Sequence, residues 1–144
     1  MIRWIVLVAG IVGAAGVGLG AYAAHGLEAQ LVESGLSPEL VAKKLNTCEI
    51  AVRYHLIHAV ALLALAAAPA QVAPRLRGLA AFFFLTGLGM FCGVLYAQAI
   101  VGLVGFNLVV PLGGLAFILG WVVIAGTALV RSSIRDARDS HEHR

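Results

Sequence analysis

The sequence predicts an all-α membrane protein: a four-transmembrane-helix bundle with its N and C termini cytoplasmic. Three observations carry that expectation. Of the 144 residues, 61% are hydrophobic and 12% charged, and the mean hydropathy is +0.97. A soluble domain is nearer about half apolar and about a quarter charged, and one this small has too little interior to hide the excess. Two stretches, Trp4–Ala24 and Gly78–Val130, contain no charged residue at all. The basic residues also gather on one side of the topology that these stretches imply. A soluble enzyme, a disordered tail and a disulfide-stapled module are thereby excluded. The net charge of +3 and pI near 9.2 mark membrane flanks rather than a nucleic-acid partner. Two cysteines, Cys48 and Cys92, make no disulfide framework.

A helix needs roughly 20 apolar residues to cross a bilayer core. Span one is expected at about 4–24. Its basic residue, apolar run and Ala21-Tyr22-Ala23 imitate a signal peptide. The run is longer than an ordinary signal core, so it is expected to be retained. Ser37-Pro38-Glu39 reads as a helix start, with Ser as N-cap, Pro in the first position and Glu in the first turn. Leu40, Val41, Leu45 and Cys48 follow at helical spacing. That stretch either lies at the interface or runs straight into span two, expected at about 50–68. The run from Gly78 is too long for one span. It divides near Gly102–Asn107, with Pro111 suited to the first turn of a new helix. Spans three and four are expected at about 79–100 and 111–130. Residues 1–130 then form one membrane domain, and 131–144 a charged, frayed cytoplasmic tail. His141 and His143 in that tail read as solvated.

An even number of spans puts both termini on one side. That side holds Arg3, Arg75, Arg77, Arg131, Arg135, Arg138 and Arg144. The other holds Lys43, Lys44 and Arg53. The excess points to cytoplasmic termini. Trp4, Tyr22, Tyr54 and Tyr96 fall near the expected interfaces.

Small residues form stripes. Gly13, Gly16 and Gly20 recur on span one, Gly89 and Gly93 on span three, and Ala116 and Gly120 on span four. In lipid, helices associate through close backbone approach, so these are candidate packing positions within the bundle or toward a second copy. Gly16-Val17-Gly18-Leu19-Gly20-Ala21 fits a loose nucleotide pattern. It sits inside an apolar span with no strand before it, so the match is chance.

Polar groups inside a membrane are costly and face the bundle interior. Span two opens with Glu49, Arg53, Tyr54, His55 and His58. Glu49 and Arg53 are one turn apart, as are Tyr54 and His58. His25, Tyr96 and Gln98 are expected at the same end of the bundle, giving a polar network open to the outer face. Three readings stay open for it. The histidines are structural hydrogen-bonding struts, or part of a site for a small polar ligand or lipid headgroup, or ligands of a metal or haem. No Ser/His/Asp arrangement suggests covalent catalysis, and no carboxylate lies deep enough for a proton relay. No cofactor is expected. The partners expected are the lipid bilayer and a homo-oligomer or larger membrane complex. The leading expectation is a non-enzymatic structural or accessory protein. The alternative is a carrier or receptor with an outer-leaflet polar pocket.

Four ordered segments also resemble a known family. Gly20-Ala21-Tyr22-Ala23-Ala24-His25-Gly26-Leu27 resembles the GAFGAHGL segment of the domain of unknown function 423, a family of small bacterial membrane proteins. Residues Arg53 to Leu63 resemble its YQxxHALALL segment, Phe91 to Tyr96 its LFSGSLY segment, and Pro111 to Trp121 its TPIGGLLFLLGW segment. The resemblance covers about Gly20 to Ala125. It implies a four-span plasma-membrane protein, with eukaryotic relatives in the transmembrane protein 256 family, and implies no activity. It marks His25, Tyr54, His58, Gly93, Tyr96, Pro111 and Gly113 as motif positions. His55 stands where that motif has Gln, and Cys92 where it has Ser. The connection between spans one and two is longer than the family's.

Overall fold

The computed structural model describes residues 2–68 and 74–142, with side chains described for residues 3–68 and 74–127. The described residues form helices and connecting turns: α1 (Ile2–His25), α2 (Leu27–Glu33), α3 (Pro38–Ala67), α4 (Pro74–Val101) and α5 (Val109–Glu142). Of these, α1, α3, α4 and the Val109–Thr127 part of α5 are long and apolar enough to cross a membrane. The fold is therefore an all-α, four-span membrane bundle.

Local chemistry sets the helix ends. At Gly26 the chain leaves α1, and Gly26 N donates to Tyr22 O at 2.8 Å. There α2 begins, a short helix that the sequence reading did not resolve. Leu27 and Leu31 lie one turn apart, and both are buried, which pins α2 onto the bundle. Gly35 closes it with φ of 76°, a left-handed conformation that glycine adopts without a Cβ penalty. Ser37 then caps α3 by accepting from Leu40 N at 3.4 Å, with Pro38 in the first position. From there α3 runs unbroken to Ala67, so the stretch before residue 50 belongs to span two and does not lie flat on the interface. At its end Ala68 has ψ of 144°. It precedes Pro69, and a residue before proline is driven out of the helical region.

The third span is not a uniform α-helix. Leu88–Gly93 and Ala97–Val101 are π-helical, separated by one α turn at Val94–Tyr96. It ends at Gly102, with φ of 73°, where Leu103 N donates back to Ala97 O at 3.1 Å. The backbone of α5 continues through Glu142, so the charged segment extends the helix rather than fraying. His143 and Arg144 lie outside the described residues.

The helices pack in chain order. α1 lies along α3, α3 contacts α4 through its π-helical half, and α4 lies along α5. The two central spans are the more buried: 39% of the apolar window of α3 and 33% of α4, against 17% for α1 and 22% for α5. The α1–α3 seam is built on glycine. A Cβ placed on Gly13 would lie 4.0 Å from Ala59, on Gly16 2.8 Å from Leu56, and on Gly20 3.2 Å from Val52. Each step of three or four residues along α1 is matched by the same step back along α3, a regular antiparallel register.

The α4–α5 seam uses glycine differently. The Phe117 ring fills the notch at Gly87 and the Phe84 ring the notch at Gly120, while the backbone at Met90 and Phe91 presses into the notch at Gly113. Phenylalanines and glycines alternate across the two helices in one antiparallel register. Gly89 and Gly93, the packing positions expected on span three, do not take part. Both are exposed, Gly89 has nothing within reach of a Cβ, and Gly93 meets only its own helix. The physical reason is helical phase. Phe84, Gly87 and Phe91 share the face toward α5 at spacings of three and four, which turns Gly89 away from it.

Candidate functional site: two histidine struts

His58 is buried, at 3% exposure. Its Nδ1 lies 2.8 Å from Tyr54 O, an acceptor, so Nδ1 carries the proton and donates. Its Nε2 is then an acceptor, and Trp121 Nε1 donates to it at 3.3 Å from α5. The imidazole stacks on Phe117, with centroids 3.6 Å apart and planes at 14°, and meets Phe84 edge-on at 5.2 Å. The phenylalanines of the α4–α5 seam thus form the floor on which this histidine lies.

His55 uses the opposite tautomer. Its Nε2 donates to Val12 O of α1 at 2.9 Å, and its Nδ1 accepts from the Tyr96 hydroxyl of α4 at 3.2 Å. One side chain thereby ties three helices together. Every ring nitrogen of His55 and His58 is engaged by the chain itself. Among the described residues, no buried side-chain nitrogen or oxygen lacks a hydrogen-bond partner. Satisfaction of this kind matters in lipid, where no water is at hand to replace a missing partner.

The expected network is brought together only in part. Tyr96 joins His55, as just described. Tyr54 contributes its backbone carbonyl to His58, while its ring packs on Phe91 at 4.8 Å and is 41% exposed. It is a groove wall rather than a polar partner. Glu49 and Arg53 form an ion pair at 2.8 Å, but their side chains are 68% and 64% exposed and point away from the histidines. His25 is exposed at the end of α1 and meets neither of the other two. Gln98 contributes a backbone carbonyl, which accepts from Lys44. Among the described residues no group of three metal-ligating side chains converges. The single outward-facing network is replaced by two separate struts nearer mid-membrane. Trp121 lies within about one turn of the centre of the Val109–Thr127 window, which places the His58 pair at that depth.

Several contributors were not singled out from sequence. Phe84, Phe91, Phe117 and Trp121 lie in apolar runs, where the spacing of phenylalanines against glycines was the usable signal. Two basic residues counted as membrane flanks also cap helices. Lys44 Nζ donates to Gln98 O and Ala99 O at 2.8 and 3.1 Å, at the C-terminal end of α4. Arg77, buried at 6% exposure, donates from Nε and Nη2 to Leu65 O at 3.1 and 2.5 Å, at the C-terminal end of α3. Cations there satisfy carbonyls the helix leaves over and oppose the negative end of its dipole. At the loop end, Tyr22 donates its hydroxyl to Gln30 Oε1, fastening α1 to α2.

Fold and site together define a small four-span helical membrane protein with polar ties between its spans. The chain belongs to the family described as "Protein of unknown function (DUF423)", which matches residues 19–114. It is similar to the UPF0382 membrane protein YwdK of Bacillus subtilis (strain 168), with 32% identity over 118 residues, covering 78% of this chain and 85% of that protein. A UPF0382 membrane protein of Haemophilus influenzae is 34% identical over 109 residues, covering 76% of this chain and 80% of its own. The UPF0382 membrane protein SSP2132 of Staphylococcus saprophyticus is 32% identical over 108 residues, covering 75% and 82%. No solved structure matches the chain significantly. The family match encloses His55, His58 and Tyr96 and stops before Phe117 and Trp121.

Proposed function

We propose that this protein is a non-enzymatic structural or accessory component of the bacterial plasma membrane, with both termini in the cytoplasm. One observation carries the reading: the two histidines of the membrane interior spend both ring nitrogens on other parts of the same chain. A catalytic or metal-binding imidazole needs a nitrogen free for substrate or ligand. These act as cross-braces. The cytoplasmic termini rest on the excess of arginine at that end. An accessory role also needs a surface for others, and α1, the least buried span, offers one to a second copy or a larger complex.

The test is affinity purification in mild detergent, with proteins, lipids and metals measured together. The accessory reading expects a reproducible protein partner or a defined homo-oligomer and no stoichiometric metal. Stoichiometric zinc or haem that is lost in His58→Ala would overturn it.

A further inference from the structure

A second polar feature lies away from the histidines. A cavity of about 500 Å³ opens between the start of α3 and the end of α4. Lys43, Lys44, Gln98 and Asn107 line it, with Leu40 and Val104 at its side. The second π-helical turn of α4 and left-handed Gly102 leave the carbonyls of Gln98 and Ala99 for Lys44 to cap. An ammonium carries three donors, so one of Lys44 remains. Lys43 is exposed, and among the described residues its ammonium makes no hydrogen bond or ion pair. The side-chain amides of Gln98 and Asn107 make none either. The Thr47 hydroxyl is committed to Lys43 O at 2.9 Å. Among the described residues no carboxylate lines the cavity.

We propose that this cavity binds the phosphate of an anionic phospholipid. The lining offers two ammonium groups and two amides to oxyanions, with nothing negative to repel them. The cavity lies at the ends of two spans, the depth of lipid headgroups. Beside it the chain exposes apolar surface that a free anion does not need: Val104 is 83% exposed and Leu40 39%. Phosphate to the lysines and acyl chain along Leu40 and Val104 satisfies both halves of the site. This assignment stands independently of the accessory role, since neither histidine contributes to it.

The test is thermal stability of the full chain in detergent, titrated with phosphatidylglycerol, with inorganic phosphate, and with diacylglycerol of the same chains. Lys43→Gln is the site variant, because the Lys43 ammonium holds nothing in the fold. Arg53→Gln is the charge control, lying outside the cavity lining. Phosphatidylglycerol is expected to raise the midpoint of wild type and Arg53→Gln alike. Lys43→Gln is expected to keep its basal midpoint and bind the lipid about fivefold more weakly, the effect of one lysine at a membrane surface. Equal affinity in wild type and Lys43→Gln overturns the site, as does an equal shift by diacylglycerol. A matching shift by inorganic phosphate overturns the lipid as its source.

Discussion

Trp121 donates its indole N–H to His58 Nε2 at 3.3 Å, joining α5 to α3 near mid-membrane. The backbones of these two helices do not run alongside each other. The bond is made where the Phe84 and Phe117 rings, seated in the glycine notches of Gly120 and Gly87, pack against the imidazole. The hydrogen bond and the phenylalanine–glycine seam therefore share the same residues around one imidazole.

Trp121→Phe keeps an aromatic ring and deletes the donor, leaving His58 Nε2 without a partner. Interhelical hydrogen bonds in membranes are worth about 0.6 kcal/mol on average and up to about 1.7. Trp121→Phe is therefore expected to lower detergent-state stability by about 1 kcal/mol. His58→Leu also removes the stack on Phe117 and is expected to cost more, and more than His55→Leu, because His58 is the more buried ring. Thermal unfolding of the three variants checks the order. Equal midpoints for wild type and His58→Leu would refute it.

His55 stands where the motif it resembles is expected to carry glutamine, and its geometry suits either side chain. The site needs one donor toward Val12 O and one acceptor toward the Tyr96 hydroxyl. A primary amide supplies one of each, as a neutral imidazole does. His55→Gln is thus expected to stay within about 0.5 kcal/mol of wild type, while His55→Leu strands the partly buried tyrosine hydroxyl at about 1–3 kcal/mol. Chemical denaturation in detergent distinguishes the two. If glutamine proved as costly as leucine, the cross-brace would not be the role of His55.

Much of this protein was legible in its residues. Charge-free runs marked three of the four spans because the bilayer enforces a length, and Ser37-Pro38-Glu39 marked the start of α3 because capping is local. Gly13, Gly16 and Gly20 lie on the α1–α3 seam, since α1 is a regular helix whose spacing maps directly onto one face. Gly89 and Gly93 lie off the α4–α5 seam. The face of α4 toward α5 is chosen by three-dimensional fit to Gly113 and Gly120, and no periodicity within α4 reveals its partner. The polar cluster on span two likewise read as one network. A helix distributes residues 49 to 58 around its whole circumference, and which neighbour each meets is a tertiary fact.

Gly113 separates the two glycine classes experimentally. A Cβ there runs into the backbone of Met90 and Phe91, which cannot rotate away, whereas Gly89 faces open space. Gly113→Ala is expected to cost about 1–3 kcal/mol through overpacking. Gly89→Ala is expected to be neutral or slightly stabilising, since alanine is the better helix former. Melting curves of both variants in one detergent check the contrast. Equal losses would mean that Gly89 meets a second copy in the membrane.

Orientation yields the last prediction. Lys44 and Arg77 each cap a helix, so neither is free simply to report a membrane side. Setting both aside leaves Arg3, Arg75, Arg131, Arg135, Arg138 and Arg144 at one end against Lys43 and Arg53 at the other. The bias survives, and with it the expectation of cytoplasmic termini. Single cysteines at Ser34→Cys and Ser140→Cys test it with a membrane-impermeant maleimide. The native Cys48 and Cys92, at 0% and 1% exposure, do not compete for the reagent. Ser34→Cys is expected to label in intact cells and Ser140→Cys only after permeabilisation. Labelling of Ser140→Cys from outside would reverse the topology and place the lysine-lined cavity at the cytoplasmic leaflet.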